Sequence, residues 1–126
     1  MYDKDHAIDI LSQIYQATLT IIKCFSAVKS VSDFTDSEYG VEKLDSICMQ
    51  LIAIGESLKN LDKVTNKSLL VDYPQIDWKK AKGMRDIICH HYFDVDAEVI
   101  YDVCNTKIDD LSEMIKKINE DLQKNR

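Results

Sequence analysis

The sequence predicts an all-α fold, an up-and-down bundle of four to five helices, from three observations. Apolar residues return at alternating spacings of three and four over long stretches, which is the helical period. No segment alternates with period two over strand length, and no repeat of solenoid length is present. Three glycines and one proline in 126 residues are too little turn chemistry for a many-stranded sandwich or barrel.

Ile8, Leu11, Tyr15, Thr18, Ile22 and Phe25 form one stripe of a first helix over about residues 4–29. Ser30 to Gly40 reads as a polar loop. Leu44, Ile47, Leu51, Ile54, Leu58 and Leu61 then mark a second long helix over about residues 38–62, able to lie antiparallel to the first and supply most of the core with it. Asp62 to Ile76 breaks the pattern and contains Pro74, after which Asp77 can cap a short helix carrying Trp78, Ala81, Met84 and Ile88. Asp94 and Asp96 are candidate caps for a final helical region through Ile100, Cys104, Ile108, Leu111, Ile115, Ile118 and Leu122, with Asn105 and Thr106 as the place where it kinks or divides. Gly55 and Gly83 fall inside predicted helices at about 1 kcal/mol each against Ala. Each is either a point of close backbone approach or a tolerated weak helix former.

At 126 residues the chain has room for one domain and one core, and its 45% hydrophobic and 30% charged composition is that of a globular protein. A net charge of −6 excludes a broad basic surface, so any nucleic-acid contact must be local. The longest uncharged run, Ile10 to Ile22, is interrupted by Ser, Gln and Thr and is too short to cross a bilayer. The start Met1-Tyr2-Asp3-Lys4-Asp5 lacks the basic and apolar regions of a secretory signal, so a cytoplasmic protein without membrane contact is expected. Cys24, Cys48, Cys89 and Cys104 contain no C-x-x-C pair and read as small buried hydrophobes in a reducing compartment.

Candidate chemistry concentrates between Trp78 and Tyr92, which hold four cationic side chains and two of the three histidines. From Asp94 to Glu113, by contrast, seven acidic residues face one Lys. Lys79, Lys80 and Lys82 alone read as a solvated helix face. Asp86 and His90 are four apart, so on a continuous helix the carboxylate orients the imidazole and favours its protonated form, which suits a general acid or base. Such pairs are also common on helix surfaces. Arg85 precedes His90 by five residues, about 140° around an ideal helix. The two converge only if the helix ends near His90, or if two copies meet with their motifs across a two-fold axis. His90 and His91 point about 100° apart on a helix, wrong for chelation from one turn. With no H-E-x-x-H, Gly-rich phosphate loop or G-x-S-x-G elbow, neither metal nor cofactor is expected. His6 and His91 are assigned no catalytic role.

Arg85, Asp86 directly after it, and His90 together resemble the Arg-polar-x-x-x-His motif of HEPN ribonucleases. They stand in an ordered series with Ile54-Gly55-Glu56-Ser57, Tyr73-Pro74-Gln75-Ile76-Asp77-Trp78, Gly83-Met84 and His91-Tyr92-Phe93-Asp94-Val95-Asp96 that resembles the HepT-like branch over nearly the whole chain. The resemblance implies a five-helix bundle, a homodimer with both motifs at a composite cleft, and metal-independent endoribonuclease activity used as a toxin. It makes His90 the acid–base group for attack of a ribose 2′-OH on the adjacent phosphorus and Arg85 the group stabilising phosphate charge, with Asp86 positioning either. That route leaves a 2′,3′-cyclic phosphate and cannot proceed on DNA. It further implies an MntA-like minimal nucleotidyltransferase as antitoxin, which modifies Tyr92 with AMP and so blocks RNA two residues from His90. Apart from the resemblance, Tyr92 reads as a core or interface aromatic. Glu56 matches the family's Gly-Glu pair, as support for the cleft or as a cap. Asp86 departs from the commoner Asn of this branch, placing a charge that opposes phosphate binding, and His91 is a further variation. The acidic net charge keeps a second reading open, a non-catalytic module that binds a minimal nucleotidyltransferase or its substrate. A helical scaffold with no nucleic-acid role is the third.

Overall fold

Two long helices lie along each other as the first element pair of the computed structural model, which describes residues 2–91 and 94–125, with the backbone alone at 87, 89–91 and 94. Helix α1, Lys4–Phe25, is capped by Asp3, whose carboxylate accepts from the His6 N–H at 3.1 Å. Helix α3, Glu38–Val64, is capped by Ser37, whose hydroxyl accepts from the Gly40 N–H at 3.0 Å. Between them, the expected polar loop contains a one-turn helix α2, Ser32–Thr35. Asp33 organises this turn by accepting from the Lys29 and Ser30 N–H groups at 2.7 and 3.3 Å. Gly40 is required where α3 begins, because a Cβ there would lie 2.0 Å from the Asp33 carbonyl oxygen.

After a 3-10 turn, Leu70–Asp72, the short predicted helix is divided in two: α4, Trp78–Lys82, and α5, Met84–Ile88. Asp77 caps α4 as expected, accepting from the Lys80 N–H at 3.1 Å. A small ribbon follows that periodicity did not predict, β1 (Cys89–His91) antiparallel to β2 (Asp94–Val95), with Cys89 opposite Val95 and His91 opposite Asp94. At three and two residues these strands are too short to show an alternating pattern. Asp94 therefore lies in a strand, and Asp96 alone caps the next helix, accepting from the Glu98 and Val99 N–H groups. The final region does divide beside Asn105 and Thr106, into α6, Ala97–Thr106, and α7, Ile108–Lys124.

Helix α1 packs on both α3 and α7, and α6 closes against α3 and α7. Because α1 is covered from two sides, its buried stripe is wider than its three-four spacing indicated. Ile14 and Ile21 are sealed in the core, whereas Tyr15, Ile22 and Phe25 are half-buried. Leu11, Leu51, Leu58, Leu61, Ile100, Ile108 and Ile115 complete the sealed centre, each side chain contributing about 1.5–3 kcal/mol of burial. The fold class is thus all-α, with α1, α3, α6 and α7 as the long members and α4 with α5 as a broken fifth. Cys48 and Cys104 are buried as expected, Cys24 is only half-buried, and burial pushes the Cys104 thiol up to about 12, so Cys104 behaves as apolar filling. Among the described residues no helix is long and apolar enough to cross a membrane.

Candidate functional site

The segment from Trp78 onward is held against the bundle by three long-range ties. Gly55 in α3 provides the first: a Cβ there would lie 3.1 Å from the Ala81 carbonyl oxygen and 3.2 Å from that of Lys82, so the missing side chain lets α4 sit close. Gly83, by contrast, is not within a helix but forms the C-cap where α4 ends. Second, the Lys82 ammonium donates to the Asp62 carboxylate at 2.5 Å, with Asp62 buried in α3. Lys82 therefore pins α4 and does not belong to the solvated face expected of it, while Lys79 and Lys80 are exposed.

The third tie explains the Tyr73–Trp78 series. The Trp78 indole N–H donates to the Tyr73 carbonyl at 2.8 Å, and the Tyr73 hydroxyl donates to Asp121 in α7 at 2.8 Å. Lys117 also donates to that carboxylate at 3.2 Å. Burial and then the hydrogen bond to Asp121 push the Tyr73 phenol up to about 12. Conversely, the Tyr73 hydroxyl and then Lys117 hold the Asp121 carboxyl below its ordinary value. These residues are structural: they fasten the loop before α4 to the last helix.

On this support, α5 presents Arg85 and Asp86 to solvent while Ile88 is fully buried beneath them. Among the described residues neither Arg85 nor Asp86 has an ion-pair partner. The helix ends at Ile88, because the backbone from Cys89 onward pairs across the ribbon and not back along the helix. His90 consequently sits in β1, and the helical four-residue neighbourhood expected of Asp86 and His90 does not form. The straight-helix separation of Arg85 and His90 lapses for the same reason. A helix ending just before His90 is one of the two arrangements under which that pair converges. The His90 and His91 imidazoles and all of Tyr92 lie outside the described residues. Glu56 is exposed in mid-α3, caps no helix among the described residues, and pairs with Lys59 at 3.5 Å. Among the described residues no cluster of His, Cys, Asp or Glu is arranged to hold a metal ion.

Sequence reasoning did not find a cleft of about 350 Å³ between α4 and the α6–α7 junction, lined in part by Lys80, Met84, Val103, Lys107 and Leu111. Met84 directly precedes Arg85. Only the break beside Thr106 signalled it in the sequence.

The ribonuclease HepT-like family matches residues 6–118, which span Gly55, Asp62, Lys82, the helix break and the Arg85–His90 motif. This chain belongs to that family. A Methanocaldococcus jannaschii protein named as a gamma-glutamylcyclotransferase and putative RNase is 32% identical over 86% of this chain, and the match covers 46% of that relative. A putative RNase of the same organism is 30% identical over 76% of this chain and 81% of its own length. A putative RNase of Caldanaerobacter subterraneus subsp. tengcongensis is 34% identical over 58% of this chain and 59% of its own. No solved structure matches the chain. The HepT-like resemblance read from the motif series is thus borne out at the level of family.

Proposed function

We propose that this HepT-like protein is a metal-independent endoribonuclease of the cytoplasm that acts as the toxin of a two-component module. The observation that carries the reading is an exposed Arg85, unpaired among the described residues, on a helix that stops two residues before His90, in a chain of the ribonuclease HepT-like family. The guanidinium of Arg85 holds the phosphate oxygens and stabilises the charge that develops on them. His90 takes the proton of the ribose 2′-OH, whose oxygen then bonds to the adjacent phosphorus as the bond to the 5′-oxygen breaks. A proton delivered to that departing oxygen balances the step, leaving a 2′,3′-cyclic phosphate and a 5′-hydroxyl. Asp86 positions the Arg85–His90 pair, and Glu56 supports the cleft from the neighbouring turn of α3. Two copies form a homodimer with both motifs at one cleft, which joins two local cationic sites in an otherwise acidic protein.

An MntA-like minimal nucleotidyltransferase is the proposed antitoxin. The Tyr92 hydroxyl attacks the α-phosphorus of ATP, pyrophosphate leaves, and the adenylate blocks RNA by bulk and charge. Cleavage of labelled RNA in EDTA by wild type and by His90→Ala tests the enzyme, with end-group analysis of the products. Activity in wild type alone, with cyclic phosphate ends, is expected. Equal cleavage by both, or none by either, overturns it in favour of the non-catalytic module that holds the transferase or its substrate, the reading that the −6 net charge favours. For silencing, mass spectrometry with the transferase and ATP should find an adduct that Tyr92→Phe abolishes.

A further inference from the structure

The cleft between α4 and the α6–α7 junction lies beside Arg85 and is left unused by the chemistry proposed above. Its floor is apolar: Ile76, Met84 and Val103, each half-buried, leave hydrocarbon uncovered next to the buried Leu111. Its rim is charged, with Lys80 on α4, Lys107 and Asp110 at the α6–α7 junction, and Asp77 ahead of α4. The Asp77 carboxylate is committed to the cap of α4, accepting from the Lys80 N–H at 3.1 Å. Lys80, Lys107 and Asp110 have no ion-pair partner among the described residues.

Size, charge and position together select the occupant. At about 350 Å³ the cleft is near the lower bound of small-ligand sites, about 300–1,000 Å³, so it admits one flat group and not a helix. Two rim ammonium groups against one uncommitted carboxylate favour an anion, in a chain whose net charge is −6. The uncovered hydrocarbon gives nothing to a bare inorganic anion, so the anion must carry an apolar face. Met84 on the floor directly precedes Arg85, so the group seated there adjoins the phosphate that Arg85 holds.

Resting on the ribonuclease reading, we infer that the cleft seats one base of the RNA, a base with an exocyclic amino group, beside the scissile phosphate. The base lays its face on Met84 and Val103, as an unstacked base does between apolar side chains. Lys80 and Lys107 meet the phosphates flanking it, and Asp110 accepts from the amino group. Uracil presents a carbonyl where cytosine presents its amino group, and the Asp110 carboxylate repels that carbonyl. The cleft thereby makes cleavage depend on which base adjoins the broken bond.

The test is methyl NMR of the full-length chain with methyl-labelled methionine, titrated with CMP, UMP and ribose 5-phosphate at millimolar concentration. Met84→Leu assigns the Met84 signal, and the exposed Met49, outside the cleft, is the control. CMP is expected to shift the Met84 methyl and spare Met49, UMP to bind several-fold more weakly, and ribose 5-phosphate, which has no base, to leave Met84 unmoved. Lys80→Glu/Lys107→Glu should weaken CMP by about tenfold, on the scale of two reversed surface contacts, and Asp110→Asn should abolish the preference over UMP. All three side chains are exposed, and unchanged melting by circular dichroism verifies the fold. An uncleavable 2′-O-methyl oligocytidylate should shift the same methyl at lower concentration than CMP, a gain that Arg85→Ala removes.

A Met84 methyl that no nucleotide moves overturns the proposal, as do equal shifts by CMP and UMP. So does a full shift by ribose 5-phosphate, which marks an anion site only, and so does an RNA that binds no more tightly than CMP, which marks a site for free nucleotides. A Met84 methyl that moves only when a nucleotidyltransferase is added overturns it in favour of a protein-binding groove. RNA cleavage by wild type and His90→Ala reads the ribonuclease assignment separately. His90-dependent cleavage with an unmoved Met84 sinks the base subsite alone, and equal cleavage by both proteins with the Met84 shifts intact sinks the ribonuclease alone.

Discussion

Arg85 is the residue on which the proposed chemistry is most exposed to test, since its side chain contributes nothing to the described packing. Arg85→Ala is expected to lower RNA cleavage by about 10²–10³-fold, the usual loss when one donor to a developing anion is removed, while the melting temperature stays put. Arg85→Lys should recover only part of it, because an ammonium lacks the planar fork that meets two phosphate oxygens. A cleavage rate unchanged in Arg85→Ala would remove the residue from the site. Asp86 was read in the sequence both as the neighbour of Arg85 and as the helical partner of His90, and the second reading fails. The four-residue spacing assumes an unbroken helix, and the helix stops at Ile88.

At the scale of elements, α5 is only as well placed as α4, and α4 depends on two contacts with α3. Gly55→Val puts branched carbon against the Ala81 and Lys82 carbonyls, so a loss of about 1–3 kcal/mol is expected in denaturant unfolding, with cleavage falling alongside as α4 shifts. Lys82→Met removes the cation and leaves the buried Asp62 carboxylate unpaired, at a cost of roughly 1–3 kcal/mol by the same measurement. Unfolding curves that coincide with wild type would show that α4 is not held by these contacts. Gly55 was marked in the sequence as a weak helix former with two explanations, and the structure selects close approach. Lys82 was misassigned for a physical reason: its partner lies twenty residues away, and no local pattern pairs the two.

For the whole molecule, the Tyr73–Asp121 bond joins residues 48 apart and makes stability depend on pH at both ends of the scale. The Asp121 carboxyl is lowered in the folded state, so its contribution is present above its ordinary value near 3.8 and is lost as pH falls through the folded value. The Tyr73 phenol is raised from 10.0 to about 12, so its contribution is present below pH 10 and is lost as pH rises toward 12. Tyr73→Phe is therefore expected to flatten the alkaline limb of a stability profile and weaken the acid limb, where Lys117 still holds Asp121. An alkaline limb identical to wild type would show that Tyr73 does not carry it. By itself the sequence determined what is set within a few residues: the helical class, the two long faces built on Leu44 to Leu61 and on the α1 stripe, the caps Asp77 and Asp96, and the Arg85–His90 motif that marks the family. Only the tertiary structure decided where α4 stops at Gly83, that His90 lies in a strand, and which distant partners Lys82 and Tyr73 take. Periodicity and caps act along one segment, whereas a helix break or a buried ion pair is settled by which segments meet, and that is fixed only when the core closes.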